Sequence, residues 1–99
     1  MDKATTKLRK LLAGPGCLVA PGVADGLAAR LVKLAGFDAA YMTGFGTSIT
    51  RLGMPDVGLL TATEMIENAS RIVDACELPV VADADTGYGN PINTRRTIR

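Results

Sequence analysis

The sequence predicts an α/β fold: the N-terminal part of a (β/α)8 TIM barrel, with an N-terminal helix followed by about three βα units. Three observations carry that expectation. Hydrophobic patterning runs in the order helix, then β-α-β-α-β-(α), and such alternation implies parallel strands joined by right-handed crossovers. At 99 residues the chain is far shorter than the roughly 250 residues of a closed barrel, and three strands alone leave a parallel sheet uncovered. Each candidate strand also ends in unusual chemistry at its C-terminal end, where a barrel carries its active site. Residues 1–99 are therefore read as part of a single, truncated barrel domain.

The elements follow from local signals. Residues 3 to 13 place Ala4, Leu8, Leu11 and Leu12 at near-helical spacing, and Gly14-Pro15-Gly16 stops the helix. Cys17-Leu18-Val19-Ala20 is the first strand candidate, closed by Pro21-Gly22. Asp25 is an N-cap for a second helix with an inner stripe of Leu27, Ala28, Leu31, Val32 and Ala35, ended by Gly36. Phe37 to Met42 forms the second strand candidate. It runs into Thr43-Gly44-Phe45-Gly46-Thr47-Ser48 and a long irregular segment through Asp56.

Thr61-Ala62-Thr63-Glu64 is a capping box. Behind it, Met65, Ile66, Ala69, Ile72, Val73 and Cys76 mark one buried helix face. Val80 to Asp85 is the third strand candidate, with Val81, Asp83 and Asp85 on one face and Val80, Ala82 and Ala84 on the other. Asn90-Pro91 opens a last helix, an N-cap followed by proline at the first helical position.

Composition narrows the function. Apolar residues make up 47% and charged residues 21%, an ordinary globular balance. A net charge of +1 argues for no nucleic-acid partner. The basic residues near the two ends (Lys3, Lys7, Arg9 and Lys10; Arg95, Arg96 and Arg99) read as solvated helix faces. No apolar run approaches the roughly 20 residues of a membrane helix, and no hydrophobic block follows the N-terminal lysines. A cytoplasmic protein is expected. Cys17 and Cys76 lack metal-ligand spacing and are expected to be small buried hydrophobes. The absence of histidine removes Ser-His and Cys-His nucleophile schemes.

The chemistry concentrates at the strand ends. On a strand, Asp83 and Asp85 would lie about 6.6 Å apart, and two like charges at that distance call for something positive. One reading is magnesium or manganese held partly through water; the other is a turn acid beside a capping acid. Gly87 and Gly89 would let the backbone take positive φ and approach a ligand. Thr43 to Thr47 offers hydroxyls and backbone N–H groups that can cradle a carboxylate or phosphate, or it is a tight surface loop. No helix is expected directly after Gly44-Phe45-Gly46, which lacks the third glycine of a dinucleotide fingerprint. Asp56 is either a loop cap or a carboxylate orienting metal-bound water. Tyr41 either reaches the site or packs in the core.

Four blocks then resemble one family in order and spacing. They are Val19 to Arg30, Tyr41-Met42-Thr43-Gly44-Phe45-Gly46, Leu52-Gly53-Met54-Pro55-Asp56-Val57-Gly58, and Val81-Ala82-Asp83-Ala84-Asp85-Thr86-Gly87-Tyr88-Gly89. Together they are similar to the isocitrate lyase/phosphoenolpyruvate mutase superfamily. The resemblance implies a (β/α)8 barrel with magnesium bound around Asp83 and Asp85, mostly through water. It implies that Thr43, Gly44 and Phe45 meet the carboxylate and oxygen of an α-keto or α-hydroxy acid, with Tyr41 and Asp56 lining the same mouth as catalytic candidates. A homo-oligomer, a tetramer by the same resemblance, is the implied assembly.

The expected activity is a magnesium-dependent carbon–carbon lyase of the 2-methylisocitrate or 2,3-dimethylmalate type, working through an enolate-like intermediate on a small carboxylate. A phosphonomutase and an oxaloacetate-cleaving enzyme are the alternatives within the family. Thr43 stands where many members have serine, and Phe45 where methylisocitrate lyases have glycine. The loop carrying a Lys-x-Cys-Gly-His type of motif would follow Arg99. The 99 residues by themselves are expected to be catalytically inactive, because ordering them costs on the order of 100–200 kcal/mol while edge strands leave burial unused.

Overall fold

The computed structural model describes residues 2–99. The elements are α1 (Ala4–Ala13), β1 (Gly22–Val23), α2 (Gly26–Leu34), β2 (Ala40–Met42), α3 (Gly44–Leu52), α4 (Ala62–Cys76), β3 (Val80–Ala82) and α5 (Pro91–Ile98). The three strands are parallel in the order β1-β2-β3, with Gly22, Tyr41 and Val81 in register across the sheet. Helices α2 and α4 return the chain between successive strands, as expected of consecutive βα units of a barrel.

Both crossover helices cover one face of the sheet. Val23, Ala40 and Met42 point into them and are met by Ala29, Met65, Ile72 and Cys76, with Leu60 closing the top. Small residues bring the helices together: a Cβ on Gly26 would sit 3.6 Å from that of Ala75, and the Arg30 guanidinium donates to the Ala75 carbonyl at 3.2 Å. The opposite face is open. Tyr41 and Val81, with Gly22 beside them, are exposed there.

Several local expectations hold. Asp25 caps α2 by accepting from Ala28 N–H, Thr61 and Glu64 form the capping box of α4, and Asn90 caps α5 with Pro91 behind it. Others do not. Cys17–Ala20 is not a strand; the ladder starts where Tyr41 N–H donates to the Pro21 carbonyl, because β2 extends no further back to pair with it. Cys17 is consequently exposed, and only Cys76 is the buried thiol expected of both.

The stripe predicted for α2 is rotated, and that of α4 holds at Met65, Ala69, Ile72 and Cys76. Leu27 and Leu31 are 71% and 57% exposed, while Ala28, Ala29 and Val32 pack inward. Ile66 and Val73 also face out, and Asn68 is buried instead. On α2, close approach to α4 selects the alanine face and leaves Leu27 and Leu31 outside. Among the described residues no helix is long and apolar enough to cross a membrane.

Candidate active site

The largest correction falls on the segment after β2. Gly44-Phe45-Gly46 is the first turn of α3 rather than an irregular loop. One residue, Thr43, separates strand from helix, and its backbone groups and hydroxyl oxygen are all engaged. Its N–H donates to the Val23 carbonyl at 3.2 Å, continuing the sheet. Its hydroxyl oxygen accepts from Gly46 N–H at 3.1 Å, capping the helix. Its carbonyl accepts from Thr47 N–H at 3.0 Å and from the Thr47 hydroxyl at 2.6 Å. The Thr43 hydroxyl proton remains available to a ligand, as do the Gly44 and Phe45 N–H groups, the first donors of a helix with no carbonyl to meet. The Phe45 ring is exposed.

The acids come from the next connection. Asp83 N–H donates to the Met42 carbonyl at 3.2 Å, which sets the Asp83 side chain against the start of α3. A Cβ at position 44 would overlap Asp83 Oδ2 and stand 3.1 Å from its Cγ. Only glycine lets this carboxylate approach the positive end of α3 so closely.

Asp85 does not continue the strand. β3 ends at Ala82; Asp85 has φ 45° and sits in a turn closed by Gly87 N–H donating to the Ala84 carbonyl at 2.9 Å. Its N–H donates to Asp83 Oδ1, also at 2.9 Å. A side-chain-to-backbone turn, not strand alternation, therefore brings the two acids together. Gly87, as expected, has positive φ, at 96°, and a Cβ there would overlap Thr94.

Asp56 lies on an exposed loop but shares a crevice with Gly44, Ser48, Leu60, Met65 and Asp85. The other two carboxylates act on Asp85. Partial burial, then the charge of Asp83, then that of Asp56 push the Asp85 carboxyl above its usual range. Among the described residues the ion pairs involve Asp2, Glu67 and Glu77, so no lysine or arginine neutralises these acids. Asp83 and Asp85 are hard oxygen donors with unbalanced charge and could hold a hydrated divalent cation. No three acidic or cysteine groups among the described residues converge tightly enough to enclose an ion by themselves. Water would have to complete its coordination shell.

Tyr41 lies on the open sheet face, two positions before Thr43, with its ring 3.9 Å from where a Cβ on Gly22 would stand; among the described residues it makes no side-chain hydrogen bond to the acids. Two features went unread in the sequence. Tyr88, at φ 61°, buries its hydroxyl without a partner among the described residues. Burial and then the charges of Asp85, Asp83 and Asp56 push its phenol up to about 12. Asn68, Thr47 and Ser48 form a buried polar layer behind α3; Asn68 could have been found as a polar residue within the apolar rhythm of α4. A hollow of about 390 Å³ lies between α1 and Asp38, Leu78 and Pro79. It holds none of these groups.

Comparison with known proteins places the fold in a family. Residues 8–99 match the family model described as phosphoenolpyruvate phosphomutase. The chain is 54% identical over 93 residues to 2,3-dimethylmalate lyase of Eubacterium barkeri, covering 94% of the chain and 32% of that protein. It is 44% identical over 98 residues to 2-methylisocitrate lyase of Bacillus subtilis, covering 99% of the chain and 32% of that protein. A crystal structure of 2,3-dimethylmalate lyase superposes with a TM-score of 0.87 at 50% identity, over 98% of this chain and 35% of that one. The chain thus spans about a third of the length of the relatives it matches.

Proposed function

The chain belongs to the phosphoenolpyruvate phosphomutase family, and from that membership we propose that it forms the N-terminal part of a barrel domain in a magnesium-dependent carbon–carbon lyase. The substrate class is a 2-hydroxy or 2-oxo di- or tricarboxylate of the dimethylmalate or methylisocitrate type. The observation that carries this reading is the meeting of the free N–H donors of α3 with the Asp83 carboxylate across Gly44. Donors and acceptors side by side suit a ligand presenting both an anionic oxygen and a bound cation.

In this proposal Asp83 and Asp85 hold magnesium, with manganese as the alternative ion, mostly through water. A cation bound there supplies positive charge that stabilises developing negative oxygen. Gly44 and Phe45 N–H and the Thr43 hydroxyl bind the substrate carboxylate and its neighbouring oxygen. When the carbon–carbon bond breaks, the electron pair enters an enolate whose oxygen these fixed donors already face, as in an oxyanion hole. Their direction is set by the helix before substrate arrives, so no reorganisation is needed. Tyr41 and Asp56 border the same mouth as candidates to hold or move a proton. The family's phosphomutase description favours a phosphonomutase as second reading.

The test uses the full-length enzyme. Asp85→Asn is expected to weaken magnesium affinity by titration calorimetry, and turnover, by at least about tenfold. Unchanged metal dependence would remove Asp85 from the metal site. Assaying 2,3-dimethylmalate, 2-methylisocitrate, oxaloacetate and phosphoenolpyruvate side by side separates lyase from mutase.

A further inference from the structure

Behind the N-terminus of α3 lies a buried hydrogen-bond relay. Asn68 on α4 is 5% exposed and Thr47 on α3 fully buried. The Asn68 amide donates to the Ala24 carbonyl at 2.9 Å and to the Thr47 hydroxyl oxygen at 3.3 Å. Since the Ala24 carbonyl only accepts, the amide nitrogen must face it. The Thr47 hydroxyl in turn donates its proton to the Thr43 carbonyl at 2.6 Å. The relay has one direction, from Asn68 through Thr47 to Thr43.

Its last acceptor belongs to the peptide unit that contains Gly44 N–H. That unit is planar and trans, so its carbonyl and its N–H point in opposite directions. The Thr47 N–H, at 3.0 Å, and the Thr47 hydroxyl both hold the Thr43 carbonyl toward Thr47, so the Gly44 N–H points the opposite way, out of the start of α3. Donation to the carbonyl also polarises the unit and strengthens its N–H as a donor.

We propose that Asn68 is a positioning residue that, through Thr47 and the Thr43 carbonyl, steadies the aim the helix gives the Gly44 N–H and polarises it. The proposal rests on the reading of that N–H as a substrate-anion donor.

The test measures oxalate affinity, turnover and the Gly44 amide NMR shift in the full-length enzyme, for Asn68→Leu, Thr47→Val and Thr47→Ser. Asn68→Leu and Thr47→Val are each expected to weaken oxalate binding and slow turnover about fivefold and to move the Gly44 amide. Thr47→Ser keeps the hydroxyl and should restore wild-type values. Combining Asn68→Leu with Thr47→Val should add little, because the relay is already broken. Oxalate affinity and Gly44 shift unchanged in Asn68→Leu, with only melting temperature lowered, overturns the proposal and leaves Asn68 a packing tie. If Asn68→Leu does not fold, Thr47→Val tests the same relay without touching α4. Should the wild-type enzyme fail to bind oxalate, the anion-site reading falls, and the Gly44 shift still decides whether the relay steadies and polarises that N–H.

Discussion

The two connections that meet at the acids are built in opposite ways. Between β2 and α3 stands one residue, Thr43, in ordinary extended conformation, backed by the buried Thr47 and Asn68. Between β3 and α5 the chain runs through residues 83–90 with positive φ at Asp85, Gly87, Tyr88 and Gly89. The first presents N–H donors and the second carboxylates. A helix start aims its donors at no conformational cost, since the first N–H groups are free in any α-helix. Gathering carboxylates against their own repulsion has no such regular device, and the chain reaches it through a left-handed turn that costs of order 1–3 kcal/mol at a non-glycine position.

The change expected to break the comparison most completely is Gly44→Ala, because position 44 belongs to both sides. The new Cβ would overlap the Asp83 carboxylate, so donors and acceptors must separate. Turnover and magnesium affinity of the full-length enzyme are expected to fall at least about tenfold, with a stability loss of about 1–3 kcal/mol. Wild-type metal affinity in this variant would mean that the two connections do not share a site. Gly87→Ala acts on the acid side alone. Its φ of 96° and the overlap with Thr94 should cost about 1–3 kcal/mol. Gly53→Ala is the control: φ there is also positive, at 63°, but nothing lies within 4 Å, so a smaller loss is expected on denaturant melts.

The same contrast explains what the sequence revealed. The caps at Asp25, Thr61 with Glu64, and Asn90 with Pro91 are contacts within a few residues, so local chemistry announces them. The parity of Tyr41 and Val81, both exposed on the open face, follows from strand alternation and is legible too. Helix α3 was not, because two glycines in its first turn resemble a loop, and the reason for Gly44 is Asp83, thirty-nine positions away. The stripe of α2 differs for a related reason: hydrophobicity favours Leu27 and Leu31, but close approach to α4 favours Ala28 and Ala29; on α4 the stripe holds at Met65, Ala69, Ile72 and Cys76. Asp85 was placed near Asp83 for the wrong cause, since a turn bond rather than a strand joins them.

A finer comparison sets the two loop caps against each other. Thr43→Val and Asn90→Ala each remove a side-chain acceptor of helix N–H groups, and each should cost about 1 kcal/mol. If its hydroxyl binds substrate as proposed, Thr43→Val should also slow turnover, and Thr43→Ser should restore both. Asn90→Ala should loosen α5, which buries no residue, with a smaller effect on turnover. Equal kinetic losses from the two caps would show that α3 has no special place in the site.

The smallest expected effect separates both loop caps from the cap of α4. Thr43 and Asn90 cap with groups that do not ionise, whereas Glu64 Oε1 accepts from Thr61 N–H at 3.1 Å and from the Thr61 hydroxyl at 3.0 Å. Those two bonds, backbone first, hold the Glu64 carboxyl below its ordinary value, with Arg51 adding a weaker pull against slight desolvation. An acid with a lowered folded-state value stabilises the fold while ionised. Its contribution is therefore complete above the unfolded-state value and is lost as pH falls through the folded-state one. Acid titration followed by amide NMR should move Thr61 N–H in that window and leave Gly46 and Asn93 N–H, held by Thr43 and Asn90, in place. If Gly46 moves with the Glu64 midpoint, the caps of α3 and α4 are coupled, and the start of α3 is not fixed independently of the helix behind it.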